Sequence, residues 1–105
     1  MAAPIRVLHV DDEPDFAELT ATFLERGSAD LDVVTETAAK DGLDRLAAEP
    51  VDCVVSDYDM PGMDGLALLG AVRAEHPDLP FILFTGKGGE EVASEAISLG
   101  VTDYL

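Results

Sequence analysis

Three short apolar runs in this chain each end in a polar residue able to do chemistry, and that arrangement constrains the fold more than any other feature. Asp11 and Asp12 follow Ile5–Val10, Asp57 closes the run at 51–56, and Thr85 follows Phe81–Phe84. Short apolar runs bounded by turn residues read as strands buried in a sheet. If the strands are parallel, all four groups meet at the carboxyl edge of the sheet, where open α/β sheets bind ligands. Carboxylates converging on one point repel one another unless a cation lies between them. The arrangement therefore implies a hard divalent metal and a chemistry of anions.

The stretches between the runs carry a helical period, so strands and helices alternate and the sheet is expected to be parallel. Phe16, Leu19, Thr20, Phe23 and Leu24 share one helical face, with Pro14 suited to the first turn and Gly27 to the end. The run at 31–35 is short and less apolar, which marks an edge strand. A helix is predicted over 38–48, with Ala39, Leu43, Leu46 and Ala47 inward. The strand at 52–56 carries Val54 and Val55, suited to burial on both faces. Asp64 reads as the N-cap of a helix that stops before Pro77. A later helix starts near Glu90, with Ala93, Ala96, Ile97 and Gly100 along one face, and a fifth strand starts near Thr102. No fifth helix is encoded before Leu105. Residues 1–105 therefore read as one domain cut before that helix, with a sticky face beside the last strand.

Composition narrows the function classes. A chain of 105 residues is a single domain. It has no apolar stretch long enough to cross a membrane and no secretory signal pattern. The lone cysteine, Cys53, cannot form an internal disulfide and reads as a small buried core residue, which fits a reducing cytoplasm. Six basic residues face 22 acidic ones, a net charge of −16. The acids are dispersed among helical segments rather than gathered in a tail. This pattern suits a cytoplasm at very high salt, where screening suppresses self-repulsion. The competing reading is a mimic of nucleic acid or a partner for a basic surface. Neither has the domain binding DNA or an anionic membrane directly.

Asp11, Asp12 and Asp57 are the candidate metal ligands, because magnesium takes a few carboxylates in near-octahedral geometry and keeps several waters. With Mg²⁺ bound, one carboxylate can attack a phosphoryl group while the metal neutralises charge on the transferring oxygens. Asp57 is the expected nucleophile because it ends the central strand, and the Thr85 hydroxyl is placed to hydrogen-bond the acyl phosphate. Structural alternatives exist for the same residues. Asp11-Asp12 also fits a cap before Pro14, and Asp57 fits a turn before Pro61-Gly62.

With these segments in order, the chain resembles the receiver domain of two-component response regulators, the CheY-like family. Val10-Asp11-Asp12-Glu13-Pro14 looks like the acidic pair after the first strand. Asp57-Tyr58-Asp59-Met60-Pro61-Gly62-Met63-Asp64-Gly65 looks like the phosphoacceptor segment and its loop. Thr85-Gly86 looks like the hydroxyl position ending the fourth strand, and Gly100-Val101-Thr102-Asp103-Tyr104-Leu105 like the segment with the switch aromatic. The resemblance implies a flavodoxin-like, doubly wound (βα)5 three-layer sandwich with sheet order 2-1-3-4-5, its last helix missing here. It implies that Asp57 accepts phosphate from a phosphohistidine on a sensor histidine kinase or phosphotransfer protein. Asp11 and Asp12 would hold Mg²⁺ with Asp57 and the backbone carbonyl of Asp59. Thr85 would turn toward the phosphate and Tyr104 would swing inward behind it. The face formed by the last helix and fifth strand would carry the output, and two copies would pair through it. Together with the charge, the resemblance suggests a halophilic archaeal source.

The chain departs from the family in places. The lysine that pairs with the phosphoryl group would fall just beyond Leu105. Asp59 adds a carboxylate near the site, either altering access of water to the phosphate or pointing to solvent. A pseudo-receiver, a binding module without phosphotransfer, is therefore the alternative reading. A phosphatase of the haloacid-dehalogenase type is a weaker one. Asp57-x-Asp59 mimics its acidic pair, but the further lysine and acidic pair are lacking. The domain is accordingly read as no enzyme. Gly86-Lys87-Gly88-Gly89 invites comparison with a phosphate-binding loop, yet Phe81 stands where that motif needs glycine and Gly88 where it needs Ser or Thr. His9 reads as a core residue, and His76 as a helix-end residue.

Overall fold

The computed structural model describes residues 5–13, 31–84 and 90–104. The strands are β1 (Ile5–Val10), β2 (Leu31–Glu36), β3 (Cys53–Asp57), β4 (Phe81–Phe84) and β5 (Asp103–Tyr104). The described helices are α1 (Ala39–Ala48), α2 (Gly65–Glu75) and α3 (Glu90–Ser98). All neighbouring strand pairs are parallel, and the sheet order is β2-β1-β3-β4-β5. This is the flavodoxin-like order expected from the sequence. The chain leaves β1 in one direction to β2 and returns past it to β3. The crevice between β1 and β3 is thus the topological switch point, where such sheets bind ligands. The helical pattern at 16–24, with Pro14 and Gly27, lies outside the described residues.

Burial follows position in the sheet. β1 has a neighbour on each side, and Val7, Leu8, His9 and Val10 are all buried. His9 is the core histidine anticipated from the sequence. Burial pulls its pKa down, and the nearby Asp11 carboxylate opposes that shift. β2 is the edge strand, half-buried along its whole length. Side chains alternate across a strand, so Leu8, Val10, Val54, Phe81 and Leu83 share one face. They form one core with Met60, with Leu46 of α1, with Leu68, Leu69 and Val72 of α2, and with Ala96 of α3. Each large apolar side chain buried there contributes about 1.5–3 kcal/mol. That outweighs the helix propensities, which differ by less than about 1 kcal/mol per ordinary residue.

Several sequence expectations need correction. Ala47 is exposed, and α1 turns Ala39, Gly42 and Leu46 to the core, with Leu43 half-buried. Gly42 sets that rotation: a Cβ there would lie 3.1 Å from Val10 Cγ2, so the helix rests on β1 through its glycine. In α3 it is Ala96 that is buried, with Val92 packed beside it, whereas Ile97 is 70% exposed. Gly100 is likewise exposed rather than inward. Val55 and Cys53 are only half-buried, although their register partners on the same sheet face, His9 and Val7, are buried. Burial still raises the Cys53 thiol pKa, and the Asp52 charge adds to the effect. No described helix is long and apolar enough to cross a membrane.

An ion network fastens the edge strand. Arg6 of β1 meets Asp32 of β2 at 3.0 Å and Glu49 at 3.1 Å. Arg45 of α1 meets Glu36 at 2.7 Å and the same Glu49 carboxylate at 2.8 Å. Solvent reaches all of these half-buried pairs, and pairs open to solvent contribute about 0–1 kcal/mol each. Their effect is to hold β2, β1 and α1 in register more than to add stability.

Candidate functional site

The site is built by the carboxyl ends of β1 and β3. Val10 is the register partner of Ser56, so the next residues in each strand, Asp11 and Asp57, emerge side by side. Asp11 extends the ladder by one bond, its N–H donating to Glu36 O at 3.1 Å. Its side chain is only 2% exposed, and one carboxylate oxygen accepts from Glu13 N–H at 3.0 Å. The Asx turn so formed directs the chain off the strand and leaves Asp12 half-buried beside it. Asp57 is the last residue of β3 and is half-buried. One oxygen from each of Asp11, Asp12 and Asp57 lies within 4.8 Å of the others.

The Asp57 carboxyl is held above its ordinary pKa. Burial is the largest influence raising its pKa, followed by the Asp11 charge and, more weakly, that of Asp12. Backbone hydrogen bonds from Asp59 and Tyr58 pull the other way. A carboxyl held above its ordinary range by burial, with like charges adding to the effect, fits a place that a cation would stabilise. The donor set is oxygen only and mostly carboxylate, which suits Mg²⁺ and not a thiolate- or imidazole-seeking metal. Among the described residues this is the one group of acidic side chains with such spacing.

The loop after Asp57 is shaped by its own sequence. Met60 is buried in the core and anchors the loop, while Pro61, Gly62 and Met63 are exposed. Gly62 adopts φ +78°, a left-handed conformation that favours glycine. Asp64 is the N-cap of α2 as expected, its carboxylate accepting from Ala67 N–H at 2.9 Å. Gly65 is the residue whose importance the sequence did not show. Its N–H donates to Tyr58 O at 2.9 Å, and a Cβ there would lie 2.5 Å from the Asp57 carbonyl oxygen and 2.9 Å from Tyr58 Cα. The first turn of α2 is thus pressed onto the backbone of the acidic strand end. The available signal was a glycine directly after an N-cap, where a helix former would do better.

The remaining sequence candidates divide. The Asp59 side chain is exposed and stands outside the trio. Thr85 and Lys87 lie outside the described residues. Tyr104 is described only as backbone in β5, where it pairs with Leu83. His76 sits at the carboxyl end of α2 as its C-cap, its N–H donating to Val72 O.

Comparisons with known proteins agree with this geometry. The family model for the response regulator receiver domain matches residues 7–105. The response regulator protein FleR of Pseudomonas aeruginosa is 39% identical over 100 residues, covering 95% of this chain and 21% of FleR. The C4-dicarboxylate transport transcriptional regulatory protein DctD of Rhizobium meliloti is 39% identical over 105 residues, covering all of this chain and 22% of DctD. The chain thus spans about a fifth of the length of these curated relatives. Among solved structures, a response regulator receiver protein from Pseudomonas putida superposes with a TM-score of 0.90 at 30% identity, covering 100% of this chain and 87% of that one. The chemotaxis protein CheY4 of Vibrio cholerae gives 0.89 at 27% identity, covering 98% and 86%.

Proposed function

This chain belongs to the response regulator receiver domain family, and we propose that Asp57 is the residue on which it receives a phosphoryl group. The observation that carries the assignment is the convergence of Asp11, Asp12 and Asp57 at the ends of two adjacent parallel strands. Of the three, Asp57 ends its strand half-buried, and its carboxyl has a raised pKa. Asp11 is buried and committed to its own turn.

In this reading a carboxylate oxygen of Asp57 attacks the phosphorus of a phosphohistidine on a sensor histidine kinase or phosphotransfer protein. The phosphorus–nitrogen bond breaks, its electron pair stays on the imidazole nitrogen, and an acyl phosphate remains on Asp57. Asp11, Asp12 and Asp57 would hold Mg²⁺, with the backbone carbonyl of Asp59 as a further ligand. When bound, the ion supplies the charge that offsets the transferring phosphoryl oxygens. The amides of Tyr58 and Asp59 favour the ionised form of Asp57, the form that attacks. Gly65 and the cap at Asp64 hold the strand end against α2, so the nucleophile stays in place while charge moves.

We further read Thr85 as the hydroxyl that bonds the acyl phosphate, since it follows Phe84, the register partner of Asp57. Tyr104 is the switch aromatic, and the α3–β5 face is the output surface on which two copies meet. The exposure of Ile97 at 70% and Leu99 at 37% supports that role for the face. The dispersed net charge of −16 supports a halophilic source and a cytoplasmic setting. The domain serves as a signalling acceptor, with no catalytic turnover of its own as its task.

Intact-mass spectrometry after incubation with acetyl phosphate and Mg²⁺ tests the assignment. A phosphate adduct is expected on the wild-type chain and absent from Asp57→Asn. An equal adduct on the variant would move the acceptor elsewhere. A folded wild-type protein with no adduct would favour a pseudo-receiver that binds partners without phosphotransfer.

A further inference from the structure

Arg6 and Arg45 spend their charge on carboxylates, whereas Arg73 spends its own on backbone carbonyls. It projects from the last turn of α2. Its Nε donates to Gly100 O at 2.8 Å, and its Nη1 to Leu79 O at 2.6 Å and His76 O at 3.1 Å. Its Nη2 reaches Thr102 Oγ1 at 3.5 Å. His76 closes α2, and Gly100 follows α3, so one guanidinium sits at the carboxyl ends of two helices. Carbonyls there lack partners within their own helices, and the helix dipole favours a cation. The planar fork of arginine can serve several such acceptors at once.

The turn at 99–102 is fitted to this cation. Gly100 has φ +89°, and a Cβ there would lie 3.2 Å from Arg73 Nε. Thr102 adds a second fastening. Its N–H donates to Phe81 O at 2.9 Å, and its Oγ1 accepts from Phe81 N–H at 3.0 Å. The carboxyl end of α3 is therefore fixed to α2 and to the start of β4. The amino end of α3 is tethered differently. Residues 85–89 join it to Phe84, which pairs in register with Asp57. The carboxyl end of the helix is fastened at Phe81, the start of β4, whereas Asp57 pairs with Phe84 at the other end of that strand.

We infer that Arg73 is a positioning residue that makes the carboxyl end of α3 a fixed point, so that a charge change at Asp57 tilts the helix about that end. The inference rests on the reading of Asp57 as phosphoacceptor. It concerns a residue that touches neither the metal ligands nor the phosphoryl group.

Amide NMR shifts on adding beryllofluoride with Mg²⁺, a mimic of the acyl phosphate, test it. In the wild-type chain the shift changes should be large at Glu91 and Val92 and fall toward zero at 99–102. In Arg73→Gln the changes at 99–102 should rise to match those at the amino end. Arg73→Lys should lie between, because one ammonium cannot hold the Gly100 and Leu79 carbonyls together as the fork does. It also serves if the Gln variant fails to fold. Labelling of Asp57 by acetyl phosphate should be the same in all three proteins, which a general loss of structure would not allow. A wild-type gradient left unchanged in both variants would overturn the inference while leaving the phosphoacceptor intact. Uniform wild-type changes along α3 would overturn it too. A wild-type spectrum indifferent to beryllofluoride, with no labelling of Asp57, would overturn the phosphoacceptor reading and the fixed point with it.

Discussion

Removing the charge of Asp57 should make the metal-free protein more stable, although it removes the residue on which function depends. Two unit charges 4.8 Å apart, the outer limit of spacing in the trio, repel by about 0.9 kcal/mol at the dielectric constant of water and about 3.5 kcal/mol at an effective value of about 20. Asp57 meets two such neighbours. Asp57 and Asp12 are only half-buried, so the interaction lies nearer the water-like end, and Asp57→Asn should gain about 1–2 kcal/mol after screening. For a domain of this size that is about 4–8 °C in Tm for each kcal/mol. The pH dependence has a definite sign. The Asp57 pKa is raised in the fold above its ordinary 3.8. The cost of ionising it is thus absent below 3.8, appears as pH rises through the folded pKa, and is fully present at neutral pH. Urea unfolding of both proteins at constant salt, with chelator, should show the gain at pH 7 and lose it near pH 3. Mg²⁺ at about 100 times its dissociation constant would stabilise the wild type by about 2.7 kcal/mol, enough to reverse the order. A variant less stable than wild type at pH 7 without metal would refute the argument from repulsion. So would a gain that persists at pH 3.

Gly65→Ala should cost about 1–3 kcal/mol, the usual range for forcing atoms into a filled space. Helix propensity alone would favour alanine by up to about 1 kcal/mol. Backbone atoms of Asp57 and Tyr58 occupy the place of the new Cβ, so labelling of Asp57 by acetyl phosphate should slow as well. A variant more stable than wild type in urea, with unchanged labelling, would count against the close approach. Raising KCl from about 0.1 M to about 1 M, which shortens the screening length from about 10 to about 3 Å, should raise the urea midpoint. Salt weakens the Arg6 and Arg45 ion pairs, but it also relieves a net charge of −16, and the larger effect should win. A midpoint that falls with salt would mean that the few pairs outweigh the many repulsions.

How much of this was readable from the sequence depended on the range of the interaction involved. The acidic trio was legible because apolar runs alternating with helical segments point to parallel strands whose ends share one edge, while the order that sets β1 beside β3 came from the family resemblance. Asp64 was legible because a cap acts within one helical turn. The rotation of the helices was not. Periodicity in α3 marked Ile97 as well as Ala96, and in α1 it marked Ala47. The structure chose Val92 and Ala96 in one and Gly42 in the other, because the separation between helix and sheet selects which small residue can sit at the contact. Cys53 and Val55 were apolar enough to be read as buried, yet they stay half-buried beside the buried Val7 and His9, a difference that no local pattern shows.

Contacts made by backbone atoms across the chain were the least legible, and they govern how the site is held. Gly65 looked like one more loop glycine until it lay against the Asp57 carbonyl. Arg73 stands in the last turn of α2, a placement that the helix dipole alone would explain. Its acceptors, Gly100 and Leu79, are chosen by the turn geometry of segments that follow it in the chain. A carbonyl has no residue-type signature, so no pairing of charges in the sequence could have located either bond. The chemistry of this domain is therefore written in its carboxylates, which sequence patterns reveal. The coupling of that chemistry to the rest of the fold is written largely in peptide groups, which only the structure reveals. Substitutions at Gly65 and Arg73 should for that reason separate holding the nucleophile from transmitting its change of charge.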